Sequence, residues 1–182
     1  GTIEEGEVVI NENALKAVKI LNQRGIVSTI VSNNKYNVVK EKLIAENCWD
    51  DFIMPSISYE PKGERIKLLV KKFNLRASNV MFIDDNNNNL MEAKYYNPDL
   101  IITSEKEIDN LLSYPELIGK NDFDLSRYKQ YKHLEVVSEK KNSFDSNIDF
   151  LYQSQIKISI VKFDSKSSSG DIDRIHELIN RT

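Results

Sequence analysis

Three polar groups follow one another along the chain: Ser32 with Asn33 and Asn34, then Lys62, then the adjacent carboxylates Asp84 and Asp85. Each type suits one part of phosphoryl chemistry. A hydroxyl and exposed backbone N–H groups beyond a strand hold phosphate oxygens. A lysine brings a point charge to a developing anion. A carboxylate pair binds Mg2+, a hard cation that takes oxygen ligands and keeps several waters. The pair also needs such a partner, because it ends an apolar run (residues 80–83) and neighbouring carboxylates repel where water is scarce. Asp85 is the expected direct ligand and Asp84 the supporting or water-bridged one. Simpler roles compete for each residue. Asp85 could cap the next helix, Lys62 could be a surface lysine after the helix-starting Pro61, Ser32 could merely end a strand, and Asn33 and Asn34 could be turn formers. The run of four asparagines, residues 86–89, reads as a polar turn, with Asn86 in reach of the metal's surroundings.

The elements that must position these groups are legible as alternating periodicities. Residues 11–24 place Ala14, Leu15, Val18 and Leu21 at helical spacing, with Asn11 as N-cap and Gly25 as stop. Residues 26–32 are apolar and β-branched, a buried strand. A helix is expected at about 35–46, a short strand weakened by Pro55 at 54–58, and a helix at 62–73 with Ile66, Leu69, Val70 and Phe73 on one face. A second buried strand follows at 79–83, then a short helix at 88–96 ended by Pro98, a strand at 100–103 and a helical piece at 105–112. Strands alternating with helices predict an α/β fold, a doubly wound parallel sheet with right-handed crossovers. Ligands of such sheets sit at the carboxyl ends of the strands, where Ser32 and Asp84-Asp85 fall.

The pattern changes near residue 114. Residues 115–153 read as a charged helical linker in which Tyr128 and Tyr131 pack back on the first domain. Residues 154–182 hold a strictly alternating strand (155–163) and an amphipathic helix, the beginning of a second α+β domain. The expected domains are therefore 1–114, 115–153 and a truncated 154–182. With no initiator methionine at Gly1 and an abrupt end at Thr182, the chain reads as a piece of a longer protein.

Composition narrows the class. Apolar residues make up 40% of 182, enough for a sizeable core. The formal net charge is -3 with both signs interspersed, which argues against a nucleic-acid partner. No apolar run approaches the ~20 residues of a membrane span. A single cysteine, Cys48, forms no internal disulfide or CxxC metal site and fits a reducing cytoplasm. It reads as a structural thiol, and His133 and His176 as surface residues.

The ordered set resembles the motifs of the haloacid dehalogenase superfamily, in particular its FkbH-like branch. Ser32 in IVSNN is similar to the second motif, Lys62 in YEPKGERIKLL to the third, and FIDDNNNN to the fourth. GTIEEGEVVIN looks like the segment after the first motif, and DIDRIHELINRT like the opening of an acyltransferase-like domain. The resemblance implies a Mg2+-dependent phosphatase or phosphotransferase with Ser32 and Lys62 catalytic, Ser32, Asn33 and Lys62 binding substrate, and Asp84 and Asp85 at the metal. It implies a phosphorylated small molecule as substrate. Transfer of a glyceryl unit from a phosphorylated three-carbon donor to an acyl carrier protein is the other activity of that branch.

One departure matters. The superfamily's first motif, Asp-x-Asp-x-Thr, carries the nucleophile at the end of the central strand, and it is not in these 182 residues. The resemblance implies an aspartyl-phosphate mechanism, so the chain by itself is expected to be inert, with sheet edges exposed where the central strand belongs. A non-catalytic scaffold is the competing class. A receiver domain of phosphorelay signalling is another, disfavoured because there the acidic pair precedes the lysine.

Overall fold

The apolar segments and their punctuation fold as alternating strands and helices in a computed structural model. It describes residues 3–4, 7–8 and 10–142, with side chains from residue 10 to 139. A short antiparallel pair opens the chain, β1 (Ile3–Glu4) with β2 (Glu7–Val8). Helix α1 (Glu12–Gln23) follows, its N-cap Asn11 accepting from the Ala14 N–H at 3.0 Å. It ends where Gly25 takes a φ of +71°, the left-handed conformation that glycine adopts without steric cost.

Strand β3 (Val31–Ser32), helix α2 (Tyr36–Ala45) and strand β4 (Ser56–Ile57) form one parallel unit, with Val31 opposite Ser56. Backbone bonds from Ile53 to Ser28 and from Ser56 to Ile30 continue this pairing upstream of the regular strand. Helix α3 (Lys62–Lys72), strand β5 (Met81–Asp84), helix α4 (Asn87–Tyr96) and strand β6 (Ile101–Ser104) form the next, with Met81 opposite Ile101 and Asp84 opposite Ser104. A 3-10 stretch, Glu105–Ser113, stands where a helical piece was expected.

The strand pairs differ from the expected single sheet. β3–β4 and β5–β6 are separate two-stranded parallel sheets. Residues 26–31, expected to be buried, are only half-buried, and so are Met81 and Ile83. Apolar strands stay part-exposed when a neighbour does not cover them. The core runs beneath both pairs, Val31 of β3 packing against the cluster under β5–β6. Val39, Leu43, Cys48, Phe52 and Ile57 pack under β3–β4, and Ile66, Phe82, Leu90, Ala93 and Leu100 under β5–β6.

The chain divides into two compact units, Gly1–Glu139 and Lys140–Thr182. In the first, helix α5 (Ser126–Asn142, of which residues 126–139 belong to this unit) lies against α3 through Tyr131. The Tyr131 ring meets Phe73 at 5.2 Å, and its hydroxyl donates to the Phe73 carbonyl. Tyr128 donates to the Asp50 carbonyl, and desolvation in this packing, with Asp50 and Asp51 nearby, pushes its phenol up to about 12. The expected strand and helix of residues 154–182 lie outside the described residues, as does His176.

Candidate functional site at the strand ends

Lys62 is the first residue of α3 and follows the N-cap Pro61. A cation there opposes the helix dipole, which favours negative charge at an N-terminus. Lys62 nevertheless turns inward and is buried, not a surface lysine. Its Nζ lies 2.6 Å from Asp84 Oδ2, with only 10% and 5% of the two side chains exposed.

Asp84 is the last residue of β5, and its side chain is held on both oxygens. Oδ2 accepts from Lys62, while Oδ1 accepts from the Asn86 backbone N–H and the Asn89 side-chain amide, each at 2.9 Å. Burial pushes the Asp84 carboxyl up. The bonds from Lys62, Asn89 and Asn86, with the charge of Lys62, outweigh it and hold the group below the ordinary carboxylate range.

Asp85 is different. It is exposed, and among the described residues it has no hydrogen-bond or ion-pair partner. It does not cap α4, because Asn86 does so through its side chain and the Asn88 N–H. An exposed, unengaged carboxylate beside a fully engaged one fits a hard cation that binds few protein oxygens and retains water. Among the described residues no three acidic, histidine or cysteine side chains come together.

Ser32 ends β3 and is half-buried. Its carbonyl accepts from the Ser58 N–H and from Arg65, and none of the described residues engages its hydroxyl. Asn33 beside it is exposed, whereas Asn34 is buried and its Oδ1 accepts from Lys35 N–H at 2.7 Å, a turn role. Ser32 and Lys62 are brought to β3 and α3 of one framework by Arg65. Its guanidinium donates to the carbonyls of Ser32 and Ser56 at 3.1 and 2.8 Å and to Asn33 Oδ1.

Sequence reasoning missed Arg65 and Asn89. Arg65 was findable as the residue three positions after Lys62, on the same helix face. Asn89 was findable as the residue of the asparagine run that the first turn of α4 points back toward β5. Cys48 is buried and donates to the Leu43 carbonyl, and burial with Asp51 and Glu46 pushes its thiol up, away from nucleophilic character. His133 is exposed.

Gly63 fixes the depth at which α3 meets α4. A Cβ there would stand 2.8 Å from the Glu92 carbonyl oxygen and 2.5 Å from the Tyr96 ring. The Asn97 amide locks the same place by donating to the carbonyls of Gly63 and Ala93. Gly63→Ala gains up to about 1 kcal/mol of helix propensity but overpacks a backbone contact, which costs roughly 1–3 kcal/mol. The net expectation is a lower urea midpoint. An unchanged or higher midpoint would show that the helices do not meet this closely.

Parallel strand–helix units with polar side chains gathered at the strand ends define an α/β domain of ligand-binding type. Residues 2–96, just over half of the chain, match the family model described as haloacid dehalogenase-like hydrolase, and the chain belongs to that family. No curated protein matches it. It is similar to a solved structure of the N-terminal part of a Bacteroides fragilis protein containing a phosphatase domain, complexed with Mg, at 18% identity and a TM-score of 0.48. The alignment covers 74% of this chain and 37% of that one, so the chain spans little more than a third of that relative's length. Among the described residues, no helix is long and apolar enough to cross a membrane.

Proposed function

We propose that the chain is the substrate- and metal-binding part of a Mg2+-dependent phosphatase or phosphotransferase acting on a phosphorylated small molecule. The observation that carries this reading is the buried Lys62–Asp84 pair at the end of β5, with the unengaged Asp85 next to it. Ser32 and Asn33 at the end of β3 hold the phosphoryl oxygens. Lys62 orients Asp84 and offsets charge that develops on the phosphoryl group. Asp85 binds the cation directly and Asp84 supports it. Mg2+, when bound, supplies charge neutralisation for phosphate and carboxylates together.

The nucleophile in this reading is an aspartate on a further strand between β3 and β5. The separate strand pairs and the half-buried residues 26–31, Met81 and Ile83 support a strand position there. The FkbH-like resemblance is compatible both with release of phosphate and with transfer of a three-carbon unit to a carrier-protein thiol, and the single cysteine fits a reducing, cytoplasmic setting.

The test is phosphate release from a panel of phosphoesters by the chain extended upstream by ~20 residues, enough for one strand and its flanks. Turnover with Mg2+ and none in EDTA is expected, and the 182-residue chain alone should be inert. Undiminished turnover in EDTA would sink the reading.

A further inference from the structure

We propose that Arg65 is a positioning residue that makes Asn33 a dedicated hydrogen-bond donor to a phosphoryl oxygen at the end of β3. The inference rests on the phosphotransfer reading of this site. Arg65 is 4% exposed on the inward face of α3, and among the described residues it makes no ion pair with a carboxylate. Its guanidinium instead spends its donors on three oxygens: the Ser32 and Ser56 carbonyls and Asn33 Oδ1.

A guanidinium can only donate. The amide of Asn33 is therefore oriented by chemistry, with its oxygen toward Arg65. The two N–H donors of Nδ2 are left on the opposite side, at an exposed residue, and no described residue accepts from them. They can meet only an acceptor, and an anionic oxygen is the strongest one. The Ser32 carbonyl is turned to Arg65 by the same contact, which ties the strand end that carries the Ser32 hydroxyl to the helix that carries Lys62.

The arrangement is costly if it serves the fold alone. Burial of the guanidinium pushes its pKa down, with only the more distant charges of Glu60 and Glu92 opposing. Its Nε–H is buried without an acceptor, a state that ordinarily destabilises. A pure latch between β3 and β4 would need only the two carbonyl contacts. The third contact, to Asn33, adds directionality at the ligand side.

The test titrates inorganic phosphate, with Mg2+ present, into the 182-residue chain and follows the Asn33 side-chain amide by nitrogen–proton correlation spectra. Wild type, Arg65→Lys and Asn33→Asp are compared, each checked for folding by its thermal midpoint. Phosphate should shift the Asn33 amide in wild type. Arg65→Lys keeps the charge but loses the fork, and its phosphate affinity should fall roughly tenfold, the scale of one charge-assisted bond. Asn33→Asp gives the buried guanidinium a counter-charge but presents an oxygen to the phosphate. It should melt at the same temperature or higher and bind phosphate at least tenfold more weakly. Wild-type binding that is equalled by folded Arg65→Lys or Asn33→Asp would overturn the proposal and leave the phosphotransfer reading standing. A wild-type chain that phosphate does not perturb would overturn that reading, and the proposal with it.

Discussion

Asp84→Ala is expected to lower folding stability by roughly 3–5 kcal/mol, the range for stranding one member of a buried ion pair. Lys62 Nζ is 2.6 Å from Asp84 Oδ2 in a place where neither side chain has appreciable contact with water. Removing the carboxylate leaves an ammonium buried alone, and it strips the Asn86 N–H and the Asn89 amide of their acceptor. Urea unfolding reads the loss. Removing both charges in Asp84→Ala with Lys62→Met should cost less than Asp84→Ala alone, because no unpaired charge remains. A single-variant loss within about 0.5 kcal/mol, the size of an ordinary surface change, would mean that the pair is not buried as described.

The same pair sets a pH dependence. The folded Asp84 carboxyl titrates below its unfolded value of about 3.9. As pH falls, the unfolded chain therefore takes up this proton first. The stabilisation is fully present above the unfolded value and is lost as pH drops through the folded one. The stability gap between wild type and Asp84→Asn should stay level from roughly pH 5 to 7 and narrow below roughly pH 4. A gap that widened on acidification would reverse the assigned sign.

Asp85→Ala is the complementary expectation, a large loss of activity at little cost in stability. The residue is exposed and none of the described residues engages its carboxylate. Its removal should change the urea midpoint by no more than about 0.5 kcal/mol in stability. In the upstream-extended chain, Mg2+-dependent phosphate release should fall by at least about a hundredfold, the effect of deleting one preorganised electrostatic group. Full activity in that variant would remove Asp85 from the metal site. Together the two variants would separate what a doublet of identical residues hides: on the proposed reading, Asp84 serves the fold and the site, Asp85 the site alone.

Residue type decided how much of this was legible beforehand. Element existence followed from periodicity, since the apolar spacing of Ile66, Leu69 and Phe73 puts them on one side of a helix wherever that helix lies. The cap at Asn11 and the stop at Gly25 follow from local backbone chemistry and needed no tertiary context. The extent of the strands did not follow. Residues 26–32 have the composition of a buried strand, yet only Val31–Ser32 is regular, because strand length depends on a neighbour that supplies hydrogen bonds. The role of Arg65, unlike its place on the Lys62 face of the helix, was illegible for a related reason. A lone arginine on a helix is usually a solvated one, and only the fold shows that it faces β3 and β4.

Local sequence by itself determined the alternation of strands and helices, the order Ser32, Lys62, Asp84-Asp85, and the place of Ser32 and Asp84-Asp85 at strand ends and of Lys62 at a helix start, because backbone propensity and hydrophobic period act over a few residues. Tertiary structure alone decided that Lys62 turns inward against the dipole of its own helix to meet Asp84, 22 positions away. It also decided that Asp85 stays free and that Arg65 spans Ser32, Asn33 and Ser56. These are long-range electrostatic choices. Two adjacent aspartates are equivalent in sequence, and only the cation that one of them meets in a buried place makes them different.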